Sequence, residues 1–287
     1  MESLQLASFA KVNLALDVLG KRPEDGYHYV NMIMVPISLA DTVTLHKAEA
    51  VTVTCSPDVA GPPESNLAYR AAMLLKETTG YRGGAHIAID KVIPVAGGLA
   101  GGSTNAAAVL RGLNALWETN LSDEALVALA IRFGSDIPFF VPQVPARVEG
   151  IGERLTPVAV TCPLWLVLAT PDVAKSTGNV YRLFDELTHV ERPDVAAVEA
   201  ALRSGDLHAV AAGLGNVFEQ VMLPRHPEIA ACKAAMLEAG ALGALMSGAG
   251  PTVFGVAPDR DAAERIARSL AGHGTRTFVA EVITRRD

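Results

Sequence analysis

Pro94–Ala107 reads P-V-A-G-G-L-A-G-G-S-T-N-A-A, a glycine-rich loop running into a helix. Gly97, Gly98, Gly101 and Gly102 place four glycines within six positions. Such a run lets the backbone turn tightly and approach a ligand with no Cβ in the way. The residues that follow, to Trp117, are strong helix formers. A helix starting there aims its unpaired N–H groups and positive dipole end back at the loop. Loop and helix together make a phosphate cradle. Ser103 and Thr104 at the helix start add hydroxyl donors, and one of them could ligate a phosphate-bound Mg²⁺. Two other phosphate loops are excluded by spacing. No lysine precedes Ser103 as G-x-x-x-x-G-K-[ST] requires, and GGxxGG is not G-x-G-x-x-G.

Upstream of the loop, Leu4–Val18, Val30–Ile37, Thr42–His46, Val51–Cys55 and Ala85–Ile89 alternate or run apolar and predict strands. A helix is predicted from about Ser65 to Thr79, with Ser65 as N-cap and Gly80 as its stop. Downstream, a helix over Ser122–Phe133 is capped by Ser122, opened by Asp123 and Glu124 and closed by Gly134. The second half predicts a strand at Trp165–Ala169 and helices at about Val180–Leu187, Val195–Arg203 and Glu228–Ala239. Strands at Ala244–Ser247 and Val253–Val256 flank a Gly-rich turn, then come a helix at Asp261–Leu270 and a strand at Thr277–Ile283. That order suits a split βαβ, ferredoxin-like sheet with helices on one face. The expected fold class is α+β in two domains, residues 1–159 and 160–287, with the boundary near Val160 and a ligand cleft between them.

Half the residues (50%) are hydrophobic and 19% are charged, the balance of a packed globular chain. A net charge of −7 argues against coating nucleic acid or an anionic membrane. It leaves room for a nucleotide, because a few backbone amides and one lysine can hold an anion locally. No apolar run approaches the ~18 residues of a membrane span, and MESLQLASFAKVN lacks the basic-then-apolar pattern of a secretory leader. The expectation is a cytoplasmic protein, a monomer or weak homodimer. Cys55, Cys162 and Cys232 are odd in number with no C-x-x-C pair, so they read as small hydrophobes, not as a disulfide frame or zinc site. The histidines lack H-x-x-x-H and H-E-x-x-H spacing, so no metal site built by the protein alone is expected.

The loop resembles the second signature of the GHMP kinases, often P-x-G-x-G-L-G-[SG]-[SG]-S, with Ala96 and Ala100 standing where glycine is common. That resemblance implies two further signatures. In AKVNLALDVLG, Ala10–Gly20, Lys11 and Asn13 alternate with apolar neighbours and so share one face of a strand. Near the C-terminus, MSGAGPTVFG at Met246–Gly255 supplies the third, a Gly-rich turn between strands. Within the family, AKVNLALDVLGKRPEDGYHYV is similar to the branch acting on 4-diphosphocytidyl-2-C-methyl-D-erythritol in the non-mevalonate route to isoprenoid precursors. So are GSDIPFF at Gly134–Phe140 and STGNVY at Ser176–Tyr181; the likeness runs in order from Ala10 to Gly255. RPEDGYH holds one residue more than that branch's usual R-P-D-G-Y-H.

The resemblance implies a mixed-sheet nucleotide-binding N-terminal domain, a ferredoxin-like C-terminal domain, and ATP-dependent phosphorylation of an alcohol, the 2-hydroxyl of that substrate. It assigns ATP to Pro94, Val95, Ala96, Gly97, Gly98, Leu99, Ala100, Gly101, Gly102, Ser103 and Thr104, with Mg²⁺ arriving on the nucleotide and Ser103 as its candidate ligand. Asp136 lies in a turn between a helix-ending Gly134 and Pro138, and it falls on the family's catalytic aspartate. Taken alone, such a residue also reads as an Asx-turn or cap. Lys11 would keep that carboxylate ionised and lower the pKa of the acceptor hydroxyl. Tyr27, His28 and Tyr181 are implied to take cytosine by stacking and edge contacts. Asn13 and Thr177 would bond the methylerythritol or diphosphate end, and Lys91 would pair with the diphosphate or lie near the nucleotide. A GHMP kinase of homoserine, mevalonate or a sugar would lack the GYH loop joined to K-V-N. A non-catalytic ligand sensor on the same fold is argued against by Lys11, Asp136 and the intact glycine loop.

Overall fold

The structure, a computed structural model, describes residues 2–58, 61–173, 180–271 and 275–284. Strands β1 (Ser3–Lys21) and β2 (His28–Ala48) form a long antiparallel hairpin. After it come β3 (Thr52–Ser56), α1 (Leu67–Thr79), β4 (Gly84–Asp90), α2 (Gly101–Leu116), α3 (Asp123–Ala130), β5 (Ala146–Gly150) and β6 (Arg154–Pro157). The first sheet runs β3-β4-β2-β1, with β5 on the free part of β2 and β6 beyond it. It is mixed, because β3 pairs with β4 in parallel. The second half continues with β7 (Trp165–Thr170), α4 (Val180–Asp185), α5 (Val195–Ser204), α6 (Leu207–Gly213), β8 (Gly215–Asn216) and α7 (Glu219–Met222). It ends with α8 (Pro227–Glu238), β9 (Gly243–Met246), β10 (Val253–Ala257), α9 (Arg260–Leu270) and β11 (Arg276–Glu281). The second sheet, β11-β7-β10-β9, is antiparallel throughout and has the ferredoxin-like order expected of a split βαβ.

The first sheet shows why Lys11 and Asn13 matter. Ala10, Val12 and Leu14 alternate with them and point to the other face. With Ile33, Val35 and Ile37 of β2, they pack on Leu166 and Leu168 of β7, Phe254 of β10 and α5. The second sheet thus covers one face of the first. The opposite face carries α1 and α2 on Met34, Val43, Leu45 and Ile87, while α8 and α9 contribute Ile229, Met236 and Ile266 to packing on the second sheet. The halves are also stitched through the backbone. β8 leaves its own half to pair in parallel with Ala15 and Leu16 of β1, and Ile37 bridges Val282.

Several local expectations are corrected. Val30–Ile37 and Thr42–His46 belong to one strand; polar Ser38 and Asp41 interrupt the alternation, and the β1 register slips opposite them between Phe9 and Lys11. Asn66, not Ser65, caps α1: its side chain accepts from Ala68 N at 2.9 Å, while Ser65 sits in a 3-10 turn and donates to Pro62 O at 2.7 Å. α3 ends at Ala130, ahead of its Gly134 stop. Of the cysteines only Cys232 is buried; Cys55 and Cys162 are half-buried, and burial pushes all three thiols up. Among the described residues no helix is long and apolar enough to cross a membrane.

Candidate active site

The glycine loop, 94–100, crosses from β4 to α2 and is bolted at its centre. Gly98 has φ 77°, and a Cβ there would stand 2.1 Å from the Ser247 carbonyl oxygen. Ser247 Oγ donates to Gly98 O at 3.0 Å, Thr252 N to Gly97 O at 3.3 Å and Lys11 N to Leu99 O at 3.3 Å. The second and third Gly-rich segments therefore pack directly on each other, with β1 behind them. Ala96 and Ala100 both hold φ 57°. Alanine thus keeps the left-handed conformation that glycine would adopt there, at a cost of roughly 1–2 kcal/mol each. Ala100 is also the N-cap of α2, with no capping side chain and no acid in the first turn. That helix end keeps its unpaired N–H groups and positive dipole for an anion.

A cavity of about 550 Å³ opens beside this helix end, lined by Asn66, Lys91, Pro94–Ala96, Gly101, Gly102 and Asn105 among others. Lys91 pairs with the Asp41 carboxylate and donates to Asn105 Oδ1 at 2.9 Å. Asp41 is fully buried, and its carboxylate also accepts from Val92 N at 2.7 Å, Ile93 N at 2.9 Å and Asn105 Nδ2 at 3.0 Å. A buried charge this completely partnered holds the chain entering the loop in one place. Lys91 accordingly lies on the glycine-loop side and not among Tyr27, His28 and Tyr181. Thr104 is buried, and its Oγ1 accepts from Ser8 Oγ at 3.1 Å inside this same network. Ser103 is half-buried at the helix start.

A second cavity, about 480 Å³, lies between the lobes and gathers Lys11, Asn13, Tyr27, His28, Asp136 and Tyr181. Lys11 is 3% exposed; its Nζ donates to Asn13 Oδ1 at 2.6 Å and stands 4.0 Å from Asp136 Oδ2. Burial pushes the Lys11 ammonium below the ordinary lysine range, and the Asp136 charge opposes that drop. Asp136 is presented by the turn that follows α3. Its neighbours Ile137, Phe139 and Phe140 are sunk into the core, each contributing ~1.5–3 kcal/mol, so the turn is held while its carboxylate stays 37% exposed.

The aromatic groups line the same cavity. The His28 and Tyr181 rings lie 4.7 Å apart, tilted by 31°, and Tyr181 meets Phe218 edge-on at 4.9 Å. The extra residue of RPEDGYH is absorbed in a closed turn: Gly26 N donates to Arg22 O at 2.9 Å, Arg22 N to Tyr27 O at 2.6 Å, and the Arg22 guanidinium caps Asp25. Tyr27 is left 54% exposed at the cavity rim. Thr177 lies outside the described residues.

Three residues that hold site groups in place from outside the cavities escaped the sequence reading. Asp41 is one. Asn216 of β8 donates through Nδ2 to both Met246 O and Gly248 O at 2.8 Å, fixing the turn 247–250 from the edge of β1. Asp185 accepts from His28 Nε2 at 2.8 Å and from Lys21 Nζ at 2.6 Å. None belongs to a motif, and the one available signal was a polar residue inside an apolar run, as with Asp41 in I-S-L-A-D-T-V.

Family models of the GHMP kinase N-terminal and C-terminal domains match residues 66–142 and 198–275. The chain is 62% identical over 265 residues to a 4-diphosphocytidyl-2-C-methyl-D-erythritol kinase of Symbiobacterium thermophilum, covering 92% of this chain and 94% of that one. A relative of the same name from Alkaliphilus metalliredigens is 43% identical over 288 residues, covering 100% and 99%. Among solved structures, a 4-(cytidine 5'-diphospho)-2C-methyl-D-erythritol kinase superposes with a TM-score of 0.82 at 35% identity, over 97% of this chain and 99% of that one. A homoserine kinase from Cytophaga hutchinsonii superposes at 0.79 with 18% identity, over 99% and 96%, a likeness of fold alone.

Proposed function

This chain belongs to the GHMP kinases, and on that premise we propose that its two cavities divide one reaction. ATP occupies the cavity beside α2, and 4-diphosphocytidyl-2-C-methyl-D-erythritol occupies the cavity between the lobes. The γ-phosphoryl group passes to the 2-hydroxyl of that substrate where the two cavities meet. The observation that carries this reading is the position of Lys11, whose backbone N–H holds Leu99 of the glycine loop while its amine stands beside Asp136 in the other cavity. A boundary between the lobes near Val160 is supported by the two sheets, β6 of the first ending before it and β7 of the second starting after it.

Asp136 accepts a hydrogen bond from the attacking hydroxyl and so aims an oxygen lone pair along the line of transfer. A loose transition state asks for little base strength until the phosphoryl group has largely left, at which point the carboxylate takes the proton. Lys11 has three N–H donors; one is held by Asn13, leaving charge and donors for the transferring group in a weakly screened site. The open end of α2 and the loop amides hold the phosphates, and Lys91, fixed by Asp41, faces the nucleotide. Mg²⁺ entering with ATP would offset the charge of the phosphates. Ser103 fits as its hydroxyl ligand, with no carboxylate cage required. Tyr27 and Tyr181 offer faces for cytosine and His28 an edge. Asn13 serves the methylerythritol end, to which the sequence likeness adds Thr177.

An ATP-consumption assay tests this directly. Turnover should appear with the cytidine diphosphate substrate and not with homoserine, mevalonate or a sugar; equal turnover with any of those would overturn the substrate assignment. Tyr181→Ala should raise the KM for the cytidine substrate roughly 5- to 150-fold, the range of one base–aromatic stack, and leave the ATP KM nearly unchanged. A loss confined to ATP would move that ring to adenine.

A further inference from the structure

We infer that Asp185 fixes the proton on His28 and thereby sets the base preference of the cavity between the lobes. The inference rests on reading that cavity as a cytidine site. Asp185 is the last residue of α4 and does not itself line the cavity. One of its oxygens meets His28 Nε2 at 2.8 Å and the other meets Lys21 Nζ at 2.6 Å. An ionised carboxylate can only accept, so Nε2 carries a hydrogen. In the neutral ring Nδ1 is then a bare lone pair. Lys21 pairs with His28 across the hairpin, so it anchors the carboxylate from the strand opposite the imidazole and keeps it from swivelling.

The ring is held on a face as well as an edge. Tyr181, one helical turn before Asp185, lies 4.7 Å from His28, so a single short helix grips the imidazole twice. Nδ1 has no hydrogen-bond partner among the described residues, and the ring lines the cavity. Cytosine presents an amino group where uracil presents a carbonyl oxygen. A bare Nδ1 accepts from the amino group and sets lone pair against lone pair with the carbonyl, leaving both unpaired. Asp185 is therefore a positioning residue for base choice, acting through His28.

The test has an arm that needs no substrate. In ¹⁵N-histidine-labelled wild-type protein, at a pH where the imidazole is neutral, His28 should show a protonated Nε2 and a bare Nδ1. In Asp185→Ala, the KM for the cytidine substrate should rise about tenfold and the preference over its uridine analogue should fall about tenfold, with kcat and the ATP KM held within about twofold. Asp185→Asn, whose amide oxygen accepts the same N–H, should recover most of the preference. A protonated Nδ1 in the wild type, an unchanged preference in Asp185→Ala, or a parallel rise in the ATP KM overturns the assignment. If the wild type turns over the cytidine substrate in those cases, the kinase reading stands without it. A wild type inactive on that substrate removes both.

Discussion

Asp136→Asn should fold like the parent chain and lose about 10²–10⁴-fold in kcat, the contribution of a positioned acid–base group. The substitution keeps the shape of a side chain whose turn is anchored by Ile137, Phe139 and Phe140, so thermal melting should not move. What disappears is the acceptor for the hydroxyl proton and the charge 4.0 Å from Lys11. The second loss has its own signature. Burial lowers the Lys11 pKa and Asp136 opposes it, so without Asp136 the ammonium gives up its proton at lower pH. The alkaline limb of the residual rate should therefore shift downward relative to the wild type. Lys11→Met should lose turnover comparably without loss of stability, because a charge buried at a cost is replaced by an apolar chain. Near-wild-type kcat in Asp136→Asn would return that residue to an ordinary turn.

Gly98→Ala should be nearly as damaging, for a mechanical reason. The new Cβ would stand 2.1 Å from a backbone carbonyl oxygen, that of Ser247, which cannot rotate away as a side-chain tip can. The left-handed φ of 77° adds to the cost. Together these should destabilise by about 3 kcal/mol or more and lower Tm by roughly 6–12 °C. Displacing the turn also breaks the Ser247 Oγ bond to Gly98 O, so the ATP KM should rise at least about tenfold in whatever remains folded. Ala96 and Ala100 hold a similar φ at roughly 1–2 kcal/mol each, so overlap decides the outcome more than backbone conformation does. Gly102→Ala is the control for folding alone: its Cβ would meet only Leu67 Cδ1 at 3.6 Å, an ordinary contact, so melting should hold, although the residue lines the cavity assigned to ATP. Unchanged melting and affinity in Gly98→Ala would mean that the two Gly-rich segments are not joined as described.

Local periodicity made much of this legible. The alternation of Lys11 and Asn13 with Ala10, Val12 and Leu14 identified both the buried face and the site face of β1. The order of elements after Trp165 gave the ferredoxin-like sheet. Periodicity failed where a buried residue is polar. Asp41 falls in the gap between the predicted strands Val30–Ile37 and Thr42–His46, because an isolated carboxylate does not belong in a core, yet four donors from Lys91, Val92, Ile93 and Asn105 make it fit. The Thr104 hydroxyl, read with the glycine loop beside it, has its partner in a serine 96 residues away. β8 is two residues long, too short for any pattern, and it carries Asn216 to the turn that closes the site. In each case the deciding partner is distant in sequence.

The covering of one sheet by the other also bears on how the chain is made. Ala10, Val12, Leu14, Ile33 and Val35 find their apolar partners in Leu166, Leu168 and Phe254, all beyond the first lobe. During translation that lobe would emerge with one oily face bare and the β1 edge at Ala15 and Leu16 unpaired until β8 arrives. At ~5–20 residues per second the wait is on the order of ten seconds, long compared with collapse and aggregation-prone encounters. Slowing translation through the second lobe lengthens that exposure, and the expected result is a lower soluble yield, read by comparing expression from fast- and slow-codon versions of that half.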